Sequence, residues 1–134
     1  GAHAVGRGYT MEQYVRLLID EMIPEVGRQQ LADYIDVFCD VGFFSPADTA
    51  RILEAGAHWG LRPKIHADEL ASSGGTEVGT AHHALSVDHL ERLSDAQIQV
   101  LKDSETMPTA LPGTSFFLNM PFAPARKMIE AGLG

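Results

Sequence analysis

The stretch Arg62-Pro63-Lys64-Ile65-His66-Ala67-Asp68-Glu69 decides the fold, and Ser86-Val87-Asp88-His89-Leu90 repeats its pattern 23 positions later (89 minus 66). In each stretch a short strand-like run ends on a histidine, and residues typical of a loop or a new helix soon follow. Because side chains at the C-terminal ends of parallel strands converge on one face of a (β/α) barrel, His66 and His89 are predicted to meet over one substrate. Glu69 adds a carboxylate in the loop above the first imidazole. This set indicates hydrolytic metal chemistry.

The composition predicts a soluble globular protein, since 45% of the 134 residues are hydrophobic and 21% are charged. Apolar runs stop well short of the ~20 residues that span a bilayer, and no basic-then-apolar signal opens the chain, so a cytoplasmic location is expected. Ten basic against eighteen acidic residues give a net charge of -8. This charge opposes binding to nucleic acid or to an anionic membrane, and it suits a small neutral or zwitterionic ligand better.

A single cysteine, Cys39, excludes an internal disulfide and fits a reducing compartment. It lies in a run whose alternation would bury Ile35, Val37 and Cys39 together. Because free cysteine is among the most buried residue types, we interpret Cys39 as a packed core thiol and not as a nucleophile.

Strand and helix signals alternate five times along the chain. The predicted strands are residues 1–5, 34–39, the run ending at His66, the run ending at His89, and 106–111. The predicted helices start at Thr10 (broken or restarted at Pro24), at Ser45 (to about Gly60), at about Thr76 (to Ala84), at Ser94, and at about Pro124 (to Ala131), and residues 114–122 are predicted to form a loop. Serine caps and the capping box at Ser94 support these helix starts.

This order predicts an α/β fold made of about five consecutive βα units of a TIM-type (β/α)8 barrel. Predicted strand ends near residues 3, 40, 66, 89 and 111 are spaced as expected for βα units joined by right-handed crossovers. A complete barrel needs roughly 250 residues, so residues 1–134 are predicted to be a partial barrel domain truncated at both ends. The rival fold is a doubly wound open sheet, but no glycine fingerprint follows any strand.

The other histidines differ in their expected roles. His3 ends the first predicted strand, and a barrel could bend it toward the far end of a substrate held over His66. His82 and His83 diverge by about 100° if helical, so we interpret them as a solvated helix face. His58 is expected to contact the last carbonyls of its helix. Asp88, beside His89, is predicted to point elsewhere and not to be a ligand.

The chain resembles imidazolonepropionase, the amidohydrolase-superfamily enzyme of histidine breakdown, and is similar to its central part. The resemblance runs nearly end to end, and its blocks appear in the family's order and spacing. They are Gly1-Ala2-His3-Ala4-Val5, Asp36-Val37-Phe38-Cys39-Asp40, Lys64-Ile65-His66-Ala67-Asp68-Glu69, Ser86-Val87-Asp88-His89-Leu90 and Leu111-Pro112-Gly113. The third and fourth blocks alone would indicate only the superfamily, whereas the first two narrow it to this member.

The resemblance implies a role for each site residue. His66 would be a ligand of a single zinc or iron ion, and Glu69 would be the acid/base for the attacking water. His89 would contact the carbonyl under attack, and His3 would bind substrate. The family's other metal ligands, a His-x-His pair and an aspartate, lie outside these 134 residues, so the chain alone is expected to be inactive.

The implied reaction is hydrolysis of the cyclic amide bond of 4-imidazolone-5-propanoate to N-formimidoyl-L-glutamate, by a hydrolase that acts on carbon–nitrogen bonds. One alternative is another amidohydrolase, acting on a different cyclic amide or amino-heterocycle. An alternative from another class is a non-catalytic α/β module that binds a partner through its exposed strand edges. The choice between zinc and iron, and whether the protein is a homodimer, are left open.

Overall fold

A four-stranded parallel sheet is the centre of the molecule, in a computed structural model that describes residues 1–133; Gly134 of the predicted domain lies outside them. Its strands are β1 (Tyr34–Cys39), β2 (Arg62–Ala67), β3 (Ser86–His89) and β4 (Met107–Ala110), and their spatial order is their chain order. Every neighbouring pair is parallel. Sequential parallel strands joined through helices are the pattern of a (β/α) barrel, so the predicted α/β fold class is confirmed.

The described chain has seven α-helices, of which one lies between each pair of consecutive strands, two precede β1 and two follow β4. They are α1 (Met11–Leu17), α2 (Ile23–Arg28), α3 (Pro46–His58), α4 (Gly75–Ala81), α5 (Asp95–Lys102), α6 (Pro112–Phe117) and α7 (Ala125–Glu130). The predicted caps are present, because the side chains of Thr10, Ser45 and Ser94 each accept a hydrogen bond from the backbone three residues on. Sequence-local chemistry therefore sets where these three helices begin.

The predicted interruption at Pro24 is a π-helical turn, Leu18–Met22, between α1 and α2. The N–H of Ile23 donates to the carbonyl of Leu18, five residues back. Proline has no N–H to continue an α-helical ladder, and the wider turn carries the chain into α2 with Pro24 in its first turn.

Two predicted elements are wrong. Residues 1–5 form turns and bends instead of a strand, although the carbonyl of Ala2 accepts a hydrogen bond from the N–H of Phe38 in β1 (2.9 Å). Within the described residues, this is the only backbone hydrogen bond between residues 1–5 and β1. A single hydrogen bond does not form the ladder of a paired strand. The predicted loop 114–122 begins inside α6, where Pro112 occupies the first turn and the hydroxyl of Ser115 is bonded to Glu91.

The helices pack closely on one face of the sheet. A Cβ added to Gly56 of α3 would lie 2.7 Å from Ile35, and one added to Gly79 of α4 would lie 2.9 Å from both Ile65 and Val87. Glycine at these points lets helix backbones approach the strands. Side chains that alternate with these, including Asp36 and His66, therefore belong to the opposite face of the sheet.

Cys39 confirms its prediction as a core thiol. It is fully buried and free. Burial, with smaller contributions from neighbouring carboxylates, raises the pKa of the thiol to about 11. A thiol with this pKa is almost entirely protonated at neutral pH, which does not suit a nucleophile.

The strand ends that carry the site are level with one another. In the register of the sheet Cys39 pairs with Ala67, Ala67 with His89, and His89 with Ala110. The C-terminal ends of all four strands therefore form one edge, from which loops lead into α3 to α6. Among residues 1–133, no helix combines the length and apolar character needed to cross a membrane.

Candidate active site

Three of the predicted site residues form a row of imidazole rings at the C-terminal edge of the sheet. The ring centroids of His3 and His66 are 4.6 Å apart, and those of His66 and His89 are 5.1 Å apart. His66 comes from β2, His89 ends β3, and His3 lies beside β1. The structure therefore brings together residues that are up to 86 positions apart in the chain (89 minus 3).

His89 reaches this row through an unusual backbone conformation. His66 pairs with Asp88 in the sheet, so strand alternation alone would send the next side chain, His89, to the opposite face. His89 and Leu90 have φ angles of +86° and +68°, which a non-glycine residue rarely adopts. The strand conformation ends at this point, and the imidazole lies among the site groups instead of under the helices.

Glu69 lies against His89 in a buried position. Its side chain is 9% exposed, and its Oε2 is 3.6 Å from Nδ1 of His89. Burial raises the pKa of Glu69, the charge of His89 opposes this shift, and the nearby Glu91 reinforces it. The net effect is a raised pKa, which lies closer to neutral pH than that of an ordinary carboxyl group. Such a pKa suits a group that must both accept and release a proton.

Asp36 is a site residue that the sequence analysis did not identify as one. Its Oδ2 accepts a hydrogen bond from Nε2 of His3 at 2.7 Å, and its Oδ1 accepts one from Nδ1 of His66 at 3.0 Å. Burial tends to raise the pKa of Asp36, but the hydrogen bonds and charges of the two histidines outweigh it and lower the pKa. The hydrogen bond from Asp36 in turn raises the pKa of His66. The sequence feature that could have identified Asp36 is its position as a charged residue within a strand of apolar residues.

The donor types around His66 suit a divalent metal ion, and Nε2 of His66 is the ring nitrogen that the hydrogen bond to Asp36 leaves available. Ligand atoms of His3, Asp36 and His66 all lie within 4.8 Å of one another. Two imidazole nitrogens and a carboxylate oxygen are ligands that zinc and iron accept in proteins. A carboxylate bonded to one ring nitrogen also orients the other nitrogen of a metal-binding histidine.

Two buried aspartates, also not identified from the sequence, hold the loop that carries Glu69. The carboxylate of Asp40 accepts hydrogen bonds from the backbone N–H groups of Glu69 (2.9 Å), Leu70 (2.9 Å) and Ala71 (3.2 Å). The carboxylate of Asp68 accepts from the backbone N–H groups of Ser73 and Thr76, the hydroxyl of Thr76 and the side-chain amide of Gln97. The position of Glu69 is therefore fixed from both β1 and α4.

The other residues considered in the sequence analysis have different contacts. Asp88 pairs with His66 in the sheet and lies on the same face, where its charge contributes to the raised pKa of His66, and its carboxylate forms an ion pair with Lys64 (3.4 Å). His58 ends α3, whereas His82 and His83 follow the end of α4 instead of lying within it. His83 lines a cavity of about 580 Å³ at the N-terminal edge of the sheet, opposite the imidazole row. In barrels of this kind the chemistry is found at the C-terminal edge.

Solved structures with the same fold are hydrolases, and one of them is an amidohydrolase. Triazine hydrolase from Arthrobacter aurescens superposes with a TM-score of 0.67 at 14% identity, over 98% of this chain and 34% of that one. An amidohydrolase from a Sargasso Sea sample gives a TM-score of 0.61 at 17% identity, over 86% of this chain and 29% of that one. A variant of atrazine chlorohydrolase from A. aurescens TC1, solved with zinc and atraton, gives 0.67 at 14%, over 99% and 35%. The chain thus shares the fold of part of these hydrolases.

Sequence comparison narrows this class. No protein-family model matches the chain. Imidazolonepropionase from Christiangramia forsetii is 50% identical over 99% of this chain and 33% of its own length. The enzymes from Flavobacterium johnsoniae and Geobacillus kaustophilus are 48% and 50% identical over 99% of this chain. The chain spans about a third of the length of these relatives. Its resemblance to the imidazolonepropionase family is thereby confirmed over that third.

Proposed function

We propose that this chain forms part of a metal-dependent imidazolonepropionase, which hydrolyses the cyclic amide of 4-imidazolone-5-propanoate to N-formimidoyl-L-glutamate in histidine degradation. The observation that carries the proposal is the buried Glu69–His89 pair (3.6 Å) beside the ring of His66. A carboxylate next to imidazoles at the C-terminal strand ends is the arrangement expected for hydrolysis in a barrel. The relatives that are 48–50% identical are imidazolonepropionases, which supports this choice of substrate.

His66 would hold the metal ion, which we propose to be zinc or iron. Its Nδ1 is hydrogen-bonded to the carboxylate of Asp36, so its Nε2 is the ring nitrogen available as a metal ligand. A divalent ion bound there supplies Lewis-acid and water-activating chemistry. The resemblance implies further ligands outside this chain, so we expect the 134 residues alone to have no turnover.

Glu69 would move the protons of the reaction. It accepts a proton from the water that attacks the ring carbonyl, and it delivers that proton to the ring nitrogen as the carbon–nitrogen bond breaks. General acid–base catalysis of this kind contributes typically 10²–10⁴-fold to the rate. The raised pKa of Glu69 favours the return of the proton, because the protonated form becomes more accessible near neutrality.

The other two imidazoles would bind the substrate. As negative charge builds on the carbonyl oxygen during attack, a hydrogen bond from His89 stabilises it. His3, whose side chain is 49% exposed, lies at the outer end of the row and would contact the far end of the substrate. The ring-to-ring spacing of 4.6 and 5.1 Å lets a single small molecule meet all three.

We further propose that residues 1–134 belong to one barrel domain. We also propose that the enzyme acts on its small-molecule substrate in the cytoplasm and does not bind nucleic acid or membranes. Structural neighbours support the first point, since their match covers nearly all of this chain and about a third of theirs. The net charge of -8 supports the absence of nucleic-acid and membrane partners.

The decisive experiment replaces Glu69 by glutamine in the full-length enzyme that carries this sequence. We expect Glu69→Gln to keep its metal content and to lose roughly 10²–10⁴-fold in kcat, because the amide keeps the shape of the side chain but carries no transferable proton. Glu54→Gln, on the exposed face of α3, is the matched control and should behave as the wild type. Full activity of Glu69→Gln, or loss of its metal, would refute the assigned role.

A further inference from the structure

The side chain of Glu91 is completely buried beside His89, and neither the sequence motifs nor the proposed chemistry uses it. Its Oε2 is 3.7 Å from Nδ1 of His89. Both atoms are buried and have no hydrogen-bond partner in the described chain. A buried carboxylate oxygen and a buried ring nitrogen without partners are costly, and here they face each other across a gap only slightly longer than a hydrogen bond.

The backbone between the two residues supports a specific role for this contact. His89 and Leu90 both lie in the left-handed region, with φ of +86° and +68°. Two consecutive non-glycine residues in this region are strained, and such strain persists where the surroundings over-determine it. The conformation turns the chain so that Glu91, two residues after His89, comes back against the imidazole.

Ser115 fixes the other oxygen of the carboxylate. Its hydroxyl donates to Oε1 of Glu91 at 2.9 Å, and both side chains are buried. Ser115 belongs to α6, the helix that the sequence analysis missed. The carboxylate is therefore held at one oxygen from α6 and presents the other to His89.

From this geometry we propose that Glu91 is a positioning residue that accepts the Nδ1–H of His89 and so leaves Nε2 for the substrate. The proposal rests on the proposed function of His89. A hydrogen bond at one ring nitrogen sets which tautomer a histidine adopts. Glu69 lies 3.6 Å from the same Nδ1, on its own loop. With Glu91 as the acceptor, Glu69 is free to serve the attacking water.

The test compares Glu91→Gln with the wild type in the metal-loaded, full-length enzyme. Long-range ¹H–¹⁵N spectra report the tautomer of His89, whose signals are assigned from their loss in His89→Asn. We expect Glu91→Gln to shift the Nδ1 resonance of His89 and to lower kcat roughly 10²-fold, with KM and metal content unchanged. Glu105→Gln, exposed at the opposite edge of the sheet, should leave every readout unchanged.

An unchanged His89 spectrum, or a kcat within twofold of the wild type, would overturn the proposal. If Glu91→Gln fails to fold, Ser115→Ala keeps the carboxylate but removes its anchor; it should shift the same resonance by a smaller amount, and an unshifted resonance counts against the proposal. If the wild type does not hydrolyse 4-imidazolone-5-propanoate, the proposed function fails, while the ¹⁵N spectra still decide whether Glu91 positions His89.

Discussion

Asp36 orients two of the three site imidazoles through one carboxylate. Its hydrogen bonds to His3 and His66 connect residues 33 and 30 positions away in the chain. The side chains of Asp36 and His66 are 27% and 26% exposed, so water screens their interaction only in part. The pair therefore contributes to stability as well as to the geometry of the site.

We predict a characteristic pH dependence for Asp36→Asn in the metal-free chain. The pKa of Asp36 lies below its ordinary 3.8, so its contribution is present above pH 3.8 and is lost as the pH falls through the lower, folded-state pKa. The pKa of His66 lies above its ordinary 6.5, so its contribution is complete below pH 6.5 and is lost as the pH rises through the higher, folded-state pKa. The destabilisation by Asp36→Asn should therefore be greatest between about pH 4 and 6.5.

Urea unfolding with a chelator present measures this difference, which we expect to reach about 1 kcal/mol at its plateau. Asp33→Asn is the control, because Asp33 is exposed at the other end of β1 and its side chain has no hydrogen bond in the described chain. A difference that is equal at pH 5 and pH 9 would contradict the predicted coupling.

At the level of the elements, the approach of α4 to β2 decides where the Glu69 loop ends. A Cβ added to Gly75 would lie 2.4 Å from Cβ of Ala67 and 3.1 Å from the carbonyl oxygen of Cys39. The first turn of α4 thus lies directly on the ends of β1 and β2. Thr76, the next residue, holds the carboxylate of Asp68.

Gly75→Ala should destabilise the chain by about 1–3 kcal/mol, because the added methyl group collides with a strand that cannot move away without breaking sheet hydrogen bonds. The matched control is Gly113→Ala in α6, where an added Cβ has no atom within 4 Å. That change should be neutral or stabilising by up to about 1 kcal/mol, as expected for alanine in a helix. Urea midpoints of the two variants test the prediction, and equal midpoints would show that α4 is not tightly packed.

At the scale of the whole molecule, the described sheet has two edge strands, and large aromatic side chains are exposed in and after α6. β1 and β4 are the edge strands of the described sheet. Phe116, Phe117 and Phe122 are 82%, 85% and 59% exposed. Large aromatic side chains that are exposed to this degree are typical of interfaces or of association-prone surfaces.

We therefore predict that the isolated 134-residue chain self-associates through these exposed side chains. Phe116→Ser combined with Phe117→Ser should lower the apparent mass at a given concentration. The double substitution removes two large apolar side chains whose burial between copies of the chain would drive association. Sedimentation velocity over a concentration series measures the change. Val41→Ser is the control, since Val41 is 65% exposed but lies at the site edge of the sheet, after β1. A monomeric wild type would refute the prediction.

The sequence by itself determined the order of strands and helices, the caps at Thr10, Ser45 and Ser94, and the placement of His66 at a strand end. These features depend on neighbours within a few residues, such as a serine three residues before an amide or apolar side chains that alternate. It failed at residues 1–5, where a single backbone hydrogen bond to β1 does not form a strand, and at α6, whose Ser115 hydroxyl is hydrogen-bonded to the distant Glu91.

Only the tertiary structure decided how the site is held together. Asp36, Asp40 and Glu91 meet their partners at separations of 24 to 33 residues, and no local spacing encodes such contacts. His89 joined the imidazole row through a left-handed backbone that strand alternation does not predict. The physical reason is that a buried carboxylate is stable only where the fold supplies donors, and those donors come from whichever strands and helices the packing brings alongside.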